Sequence, residues 1–138
     1  MLTITRSFDF CAGHRLFRPE WTDERNTEVF GLCANPKGHG HNYTLEVSVS
    51  GPLDPETGMI MNLRELKEVV NGRVIVDVDH KSLNEDVPWM KGLVPTTEVF
   101  AERIWVRIVD VLSHTAPHVT LESIVLHETP NNRVEKRR

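Results

Sequence analysis

Leu2, Ile4, Phe8, Phe10 and Ala12 fall on one parity of the N-terminal segment, interrupted only by Arg6, and His14 continues the series. Side chains of a strand point alternately to its two faces, so residues 2–13 read as a half-buried strand. The same period recurs over 41–50, where Tyr43, Leu45, Val47 and Val49 alternate with Asn42, Thr44, Glu46, Ser48 and Ser50. Between the two strands, residues 15–38 are polar and irregular, with Pro19, Pro36 and Gly38; a loop of that length inside a compact domain is usually functional. Gly51-Pro52 ends the second strand, and Asp54-Pro55-Glu56-Thr57-Gly58 forms a turn. Asn62 followed by Glu65 starts a helix with Leu63, Leu66 and Val70 on one face. Its end is ambiguous: Asn71-Gly72 is a stop signal and Val74-Ile75-Val76 has strand character, yet Val74 and Val78 continue the helical spacing. Thr96 or Thr97 caps a second helix, striped by Phe100, Ile104, Ile108, Val111 and Leu112, and a last strand over 119–128 closes the domain. Two hairpin-like halves, each with a helix, make an α+β fold.

Length and composition narrow the function. A chain of 138 residues with 39% hydrophobic content is one domain, 1–138, able to bury a core. A net charge of -4 with scattered Lys and Arg argues against nucleic-acid binding, and Lys136-Arg137-Arg138 reads as a solvated tail. Neither a signal-peptide pattern nor a membrane-length apolar run stands out, which favours a cytoplasmic protein without membrane partners. Cys11 and Cys33 are too few for a disulfide framework and read as free thiols.

The chemistry concentrates in His39-Gly40-His41-Asn42-Tyr43. Both histidines share the apolar parity of Tyr43, where each imidazole would be desolvated and would need its own partner. One shared cation satisfies both. His14, at the end of the first strand's apolar face, can lie across from them, because neighbouring strands sit roughly 4.8 Å apart. Three neutral histidines with a fourth position open describe a catalytic zinc site. The alternative for His14 alone is a core imidazole bonded to a carbonyl. Cys33, six residues before His39, is a candidate fourth ligand, and a thiolate there would close the site into a structural one. That is the site of a non-catalytic zinc-stabilised interaction domain. Asp79-His80 can hold a proton relay, or can be a surface pair. Glu128 shares parity with Ile124 and Leu126; a carboxylate there suits the paired N–H donors of a guanine or pterin edge, or frays into water.

Six segments carry a resemblance. They are Phe10-Cys11-Ala12-Gly13-His14-Arg15-Leu16, the run Phe30 to Tyr43 containing Cys33 and His39-Gly40-His41, Thr57 to Leu63, Asp79-His80-Lys81-Ser82-Leu83-Asn84, Pro95-Thr96-Thr97-Glu98, and His127-Glu128-Thr129. Together they resemble the family of 6-pyruvoyltetrahydropterin synthase and 6-carboxytetrahydropterin synthase, in order and over nearly the whole chain. The resemblance implies a tunnelling fold: a four-stranded antiparallel sheet with two helices on one face, trimers closing a barrel, and two trimers stacked into a hexamer. It also favours a helix through 71–78. By position, His14, His39 and His41 match the family's zinc ligands, and Cys33 matches its catalytic base. Asp79 and His80 match the pair that activates that cysteine. Glu128 matches the pterin anchor, with Thr96, Thr97 and Glu98 lining the ring pocket, and a pocket between subunits can draw these residues from different chains. The implied reaction is zinc-dependent elimination of triphosphate from 7,8-dihydroneopterin triphosphate, with Mg2+ accompanying the triphosphate in many members. The spacing from Cys33 to His39, through Asn35-Pro36-Lys37-Gly38, resembles the pyruvoyl enzyme more than the carboxy enzyme of deazaguanine biosynthesis.

Overall fold

The computed structural model describes every residue from Met1 to Arg138. Strand β1 (Thr3–His14) pairs antiparallel with β2 (His39–Ser50), in a register running from Thr3 opposite Ser50 to His14 opposite His39. Strand β4 (Thr120–Thr129) lies on the other side of β2, and β5 (Asn132–Arg137) lies beyond it. A two-residue strand, β3 (Lys81–Ser82), runs parallel to β1 at the opposite edge, so the order is β3-β1-β2-β4-β5. The four long strands are the antiparallel sheet that the resemblance implies; β3 is an addition to it.

Both long helical stretches cover one face. Asn62 caps α2 (Leu63–Val70) by accepting from Arg64 N–H at 2.9 Å. The rod then continues through a π-helical turn, Asn71–Ile75, into the short α3 (Val76–Val78). The reason is the spacing: Leu66, Val70, Val74 and Val78 are all fully buried at steps of four, whereas a regular helix turns every 3.6 residues. A wider i→i+5 turn takes up that drift and keeps all four on the core side. Arg107 of α4 (Thr97–Thr115) donates from Nε to the Arg73 carbonyl at 2.6 Å within that turn. Helix α4 contributes Phe100, Ile104, Ile108 and Leu112 to the core, where they meet Phe8, Phe10, Tyr43, Leu45, Ile124 and Leu126 from the sheet. No helix is long and apolar enough to cross a membrane.

Two segments differ from the sequence reading. The stretch 15–38, read as irregular, contains α1 (Asp23–Phe30) and a 3-10 turn at Gly31–Ala34. Thr22 caps α1 by accepting from Arg25 N–H, with Asp23 and Glu24 in the first turn where the helix dipole favours acids. Buried Asn26 pins the preceding loop, accepting from Arg18 N–H and donating to the Arg18 carbonyl. The second correction concerns the C-terminus. Lys136 and Arg137 belong to β5 rather than to a solvated tail, and Lys136 reaches Glu102 at 2.9 Å and lies over the Trp105 ring.

Candidate active site

Strand parity and register place the three histidines together. His14 stands directly opposite His39, and Ala12 opposite His41, so all three imidazoles emerge on the helix-covered face at one end of the β1–β2 pair. Their ring centroids form a triangle with sides of 4.7, 4.7 and 5.0 Å, and the rings meet edge to face. One nitrogen from each lies within 4.8 Å of the others. His14 Nδ1 stands 2.9 Å from the Pro95 carbonyl oxygen, which can only accept; His14 therefore carries its proton on Nδ1 and turns the Nε2 lone pair inward. That lone pair meets His39 Nε2 at 3.2 Å, while His41 Nε2 is buried with no hydrogen-bond partner.

These features fit a metal. Tetrahedral zinc with nitrogen at about 2.0–2.1 Å needs nitrogens roughly 3.3 Å apart, close to the His14–His39 separation. The carbonyl behind His14 is the kind of outer partner that orients a ligating imidazole. Burial lowers the proton affinity of His14 and of His41, more than the Pro95 contact and the Glu128 carboxylate respectively raise it, so both are held as neutral imidazoles. Cys33 does not join the group, which leaves the fourth position open.

Beneath the cluster, Phe10 and Tyr43 stack at 5.1 Å, and Phe100 meets both edge-on. This floor fixes His41, whose ring lies 5.8 Å from Tyr43. Burial drives the Tyr43 phenol well above its usual proton affinity, and its oxygen has no partner. It therefore stays a neutral part of the floor.

Glu128 reaches the same place from β4. Its Oε1 lies 3.8 Å from His41 Nε2, and its Oε2 accepts the Thr97 hydroxyl proton at 2.6 Å. The two threonines divide the work: Thr96 caps α4 by accepting from Val99 N–H, which frees Thr97 for the carboxylate. Thr96, Thr97, Glu98 and Glu128 line one recess of about 420 Å³ with Leu16 and Arg133. A second cavity, of about 450 Å³, is lined by His14, His39, Arg15, Arg18 and Lys37.

The cysteine and the relay pair are not brought together within one chain. Cys33 sits in the 3-10 turn after α1, held beside the exit of β1 because Leu16 N–H donates to its carbonyl at 2.8 Å. Asp79 and His80 stand instead with Cys11, on the opposite face of β1. Asp79 Oδ1 accepts from the Cys11 backbone N–H at 3.1 Å and from His80 Nδ1 at 2.9 Å. The Cys11 N–H holds the Asp79 carboxyl below its ordinary range, with the His80 ring contributing less. The Pro95 carbonyl and Cys11 carry no mark in the sequence reading beyond their place in the quoted segments.

A family model described as 6-pyruvoyl tetrahydropterin synthase matches residues 3–138. The chain belongs to that family. A 6-pyruvoyl tetrahydrobiopterin synthase of Poecilia reticulata is 45% identical over 129 residues, spanning 94% of this chain and 85% of the relative. The solved 6-pyruvoyl tetrahydropterin synthase of Caenorhabditis elegans superposes with a TM-score of 0.90 at 35% identity, covering 99% of this chain and 95% of that one. A 6-carboxy-5,6,7,8-tetrahydropterin synthase of Bacillus subtilis is 30% identical, spanning 76% of this chain and 70% of its own. The 6-pyruvoyl branch is thus nearer in both identity and coverage.

Proposed function

We propose that this chain is a 6-pyruvoyltetrahydropterin synthase, a carbon–oxygen lyase that eliminates triphosphate from 7,8-dihydroneopterin triphosphate. The observation that carries the reading is the convergence of His14, His39 and His41 on one point, open on one side and faced by the Glu128 carboxylate. These histidines would hold zinc. Bound there, zinc supplies Lewis acidity that makes the C–H beside a side-chain hydroxyl easier to deprotonate.

The protein's own groups do the rest. Glu128 accepts two N–H bonds from the pyrimidine edge of the pterin, with Thr97 orienting the carboxylate and Thr96 and Glu98 bounding the ring recess. Cys33 removes the side-chain proton as a thiolate, and Asp79 with His80 maintains that thiolate by taking up its proton. Since Asp79-His80 and Cys33 lie apart in one chain, the relay pair acts on the cysteine of a neighbouring subunit in a dimer of trimers. The uncovered sheet face is polar, with Thr5, Ser7, Asp9, Asn42 and Thr44, as suits the lining of an assembled barrel. The ring recess adjoins His41 through Glu128, and the Arg15, Arg18 and Lys37 cavity includes His14 and His39, so a substrate spanning the two places its triphosphate, with Mg2+, among those cations. Two free thiols suit a reducing compartment, and the proposal places the protein in the cytoplasm.

The test is release of inorganic triphosphate from 7,8-dihydroneopterin triphosphate by the zinc-loaded protein. Chelation should stop release while circular dichroism stays native, because the 26-residue apolar core contains none of the three histidines. Unfolding on chelation would instead support the zinc-stabilised interaction domain.

A further inference from the structure

We propose that Cys11, Asp79 and His80 form a second metal site, for thiophilic divalent ions of the zinc, cobalt and cadmium kind, distinct from the three-histidine cluster. A thiol sulfur, an imidazole nitrogen and a carboxylate oxygen from these residues lie within 4.8 Å of one another. The donor mix decides the class of ion: a thiolate and an imidazole favour zinc and its softer relatives and disfavour magnesium and calcium. Two negative charges, from Cys11 and Asp79, neutralise a divalent ion.

The fold holds two of the ligands and leaves the third free to close. Cys11 and the residues after Asp79 are tied by the parallel pairing of Ala12 with Lys81 and Gly13 with Ser82. Asp79 Oδ1 takes the Cys11 N–H, and His80 N–H donates to the Cys11 carbonyl at 2.7 Å. His80 adopts φ 62, a conformation costly for a residue with a Cβ, and its ring stands on Asp79 Oδ1 beside Cys11. Ligand atoms around zinc stand roughly 3.3–3.6 Å apart; the three donor atoms all lie within 4.8 Å of one another and His80 Nδ1 already stands 2.9 Å from Asp79 Oδ1, so a small rearrangement reaches that spacing. The His80 ring can supply that movement, since its side chain is 80% exposed. A cavity of about 470 Å³ lined by Cys11, His80, Gly40 and Asn42 gives access and room for water as a fourth ligand.

Parity keeps the two sites apart. Cys11 lies on the odd face of β1 and His14 on the even face, so no single ion can bridge them. Binding forms a metal–sulfur bond, breaks the S–H bond and releases the proton to solvent, with no change of oxidation state. The occupied site also engages Asp79 and His80, the pair assigned above to the proton relay; on that reading, excess zinc inhibits the enzyme that a first zinc activates.

Cobalt titration of the metal-free full-length protein tests the site without reference to turnover. Histidine-only cobalt gives weak visible bands, whereas a thiolate ligand adds a strong near-ultraviolet charge-transfer band. About two cobalt equivalents should bind per chain, the near-ultraviolet band growing with only one of them. Cys11→Ser should abolish the band and one equivalent, and His80→Ala should weaken that equivalent more than tenfold. Cys33→Ala and His14→Ala should both keep the band. Should Cys11→Ser not fold, protection of Cys11 from iodoacetamide by cobalt in the unaltered protein, read by peptide mass, decides the matter. Absence of the band, its loss in Cys33→Ala, or unprotected alkylation of Cys11 would overturn the proposal.

Discussion

Gly38 and His14 touch so closely that a Cβ added at Gly38 would stand 2.7 Å from the His14 carbonyl oxygen. The position also has φ +68, where side chains other than glycine are strained. Gly38 therefore sets both the entry of β2 and the backbone of the histidine that faces His39. Gly38→Ala should cost about 1–3 kcal/mol of stability and reduce metal content, because His14 has to shift. Gly58→Ala is the control: it has φ +71 with nothing within 4 Å, so it should lose stability and keep its metal. Metal analysis and thermal melts of the two variants check this; equal metal content in both would show that the contact does not position His14.

Glu128→Gln should weaken pterin binding by roughly 2–4 kcal/mol, the range for an unmatched buried polar pair, because one acceptor oxygen becomes a donor facing the ring's own N–H. Metal content should not change. Fluorescence titration with a pterin reads the loss, and parental affinity would remove Glu128 from the ring pocket.

Cys33→Ala and His80→Ala should each abolish or reduce turnover while keeping the metal at the three histidines, since neither side chain lies in that cluster. If relay and thiol come from different subunits, hexamers reassembled from a mixture of the two impaired variants contain some sites with both groups intact. Activity should return on mixing. Mixtures as inactive as their components would mean that Cys33 and His80 of one chain serve the same site.

Acid should destabilise the metal-free protein in a defined window. His14 and His41 are held below the usual imidazole value of 6.5 chiefly by burial, so the unfolded chain takes up their protons before the folded one does. Where the unfolded state binds more protons, stability rises with pH. The metal-stripped protein should therefore melt at the same temperature at pH 8 and pH 7 as far as these residues govern it, and progressively lower below about pH 6.5. His14→Gln should flatten that fall. An unchanged acid slope in the variant would contradict the assignment.

How far the sequence discloses the molecule depends on whether a signal is local. Parity on β1 and β2 marks His14, His39 and His41 as one-sided, and antiparallel pairing of those strands then forces them together. Glu128 is legible in the same way, from its parity with Leu126. Helix α1 escapes notice because it has no apolar stripe; its only buried residue is Asn26, a polar pin. Strand β5 escapes notice, and its end at Lys136-Arg137 reads as a tail, because five of its six residues are polar and among its apolar residues only Val134 packs on the core. Cys11 lies on the parity away from the histidines and meets Asp79 and His80 only through the β1–β3 pairing, about seventy residues away in sequence, which no local pattern records. The π-helical turn is half-visible: period-four valines show in the sequence, and their cause shows in the fold.

The most direct measurement is the mass of the pterin formed when the zinc-loaded protein is incubated with 7,8-dihydroneopterin triphosphate under anaerobic conditions. Stoichiometric inorganic triphosphate and a product with the mass of 6-pyruvoyltetrahydropterin are expected, both abolished in Cys33→Ala. A product with the mass of 6-carboxytetrahydropterin, or substrate recovered intact from metal-loaded hexamers, would contradict the proposed function.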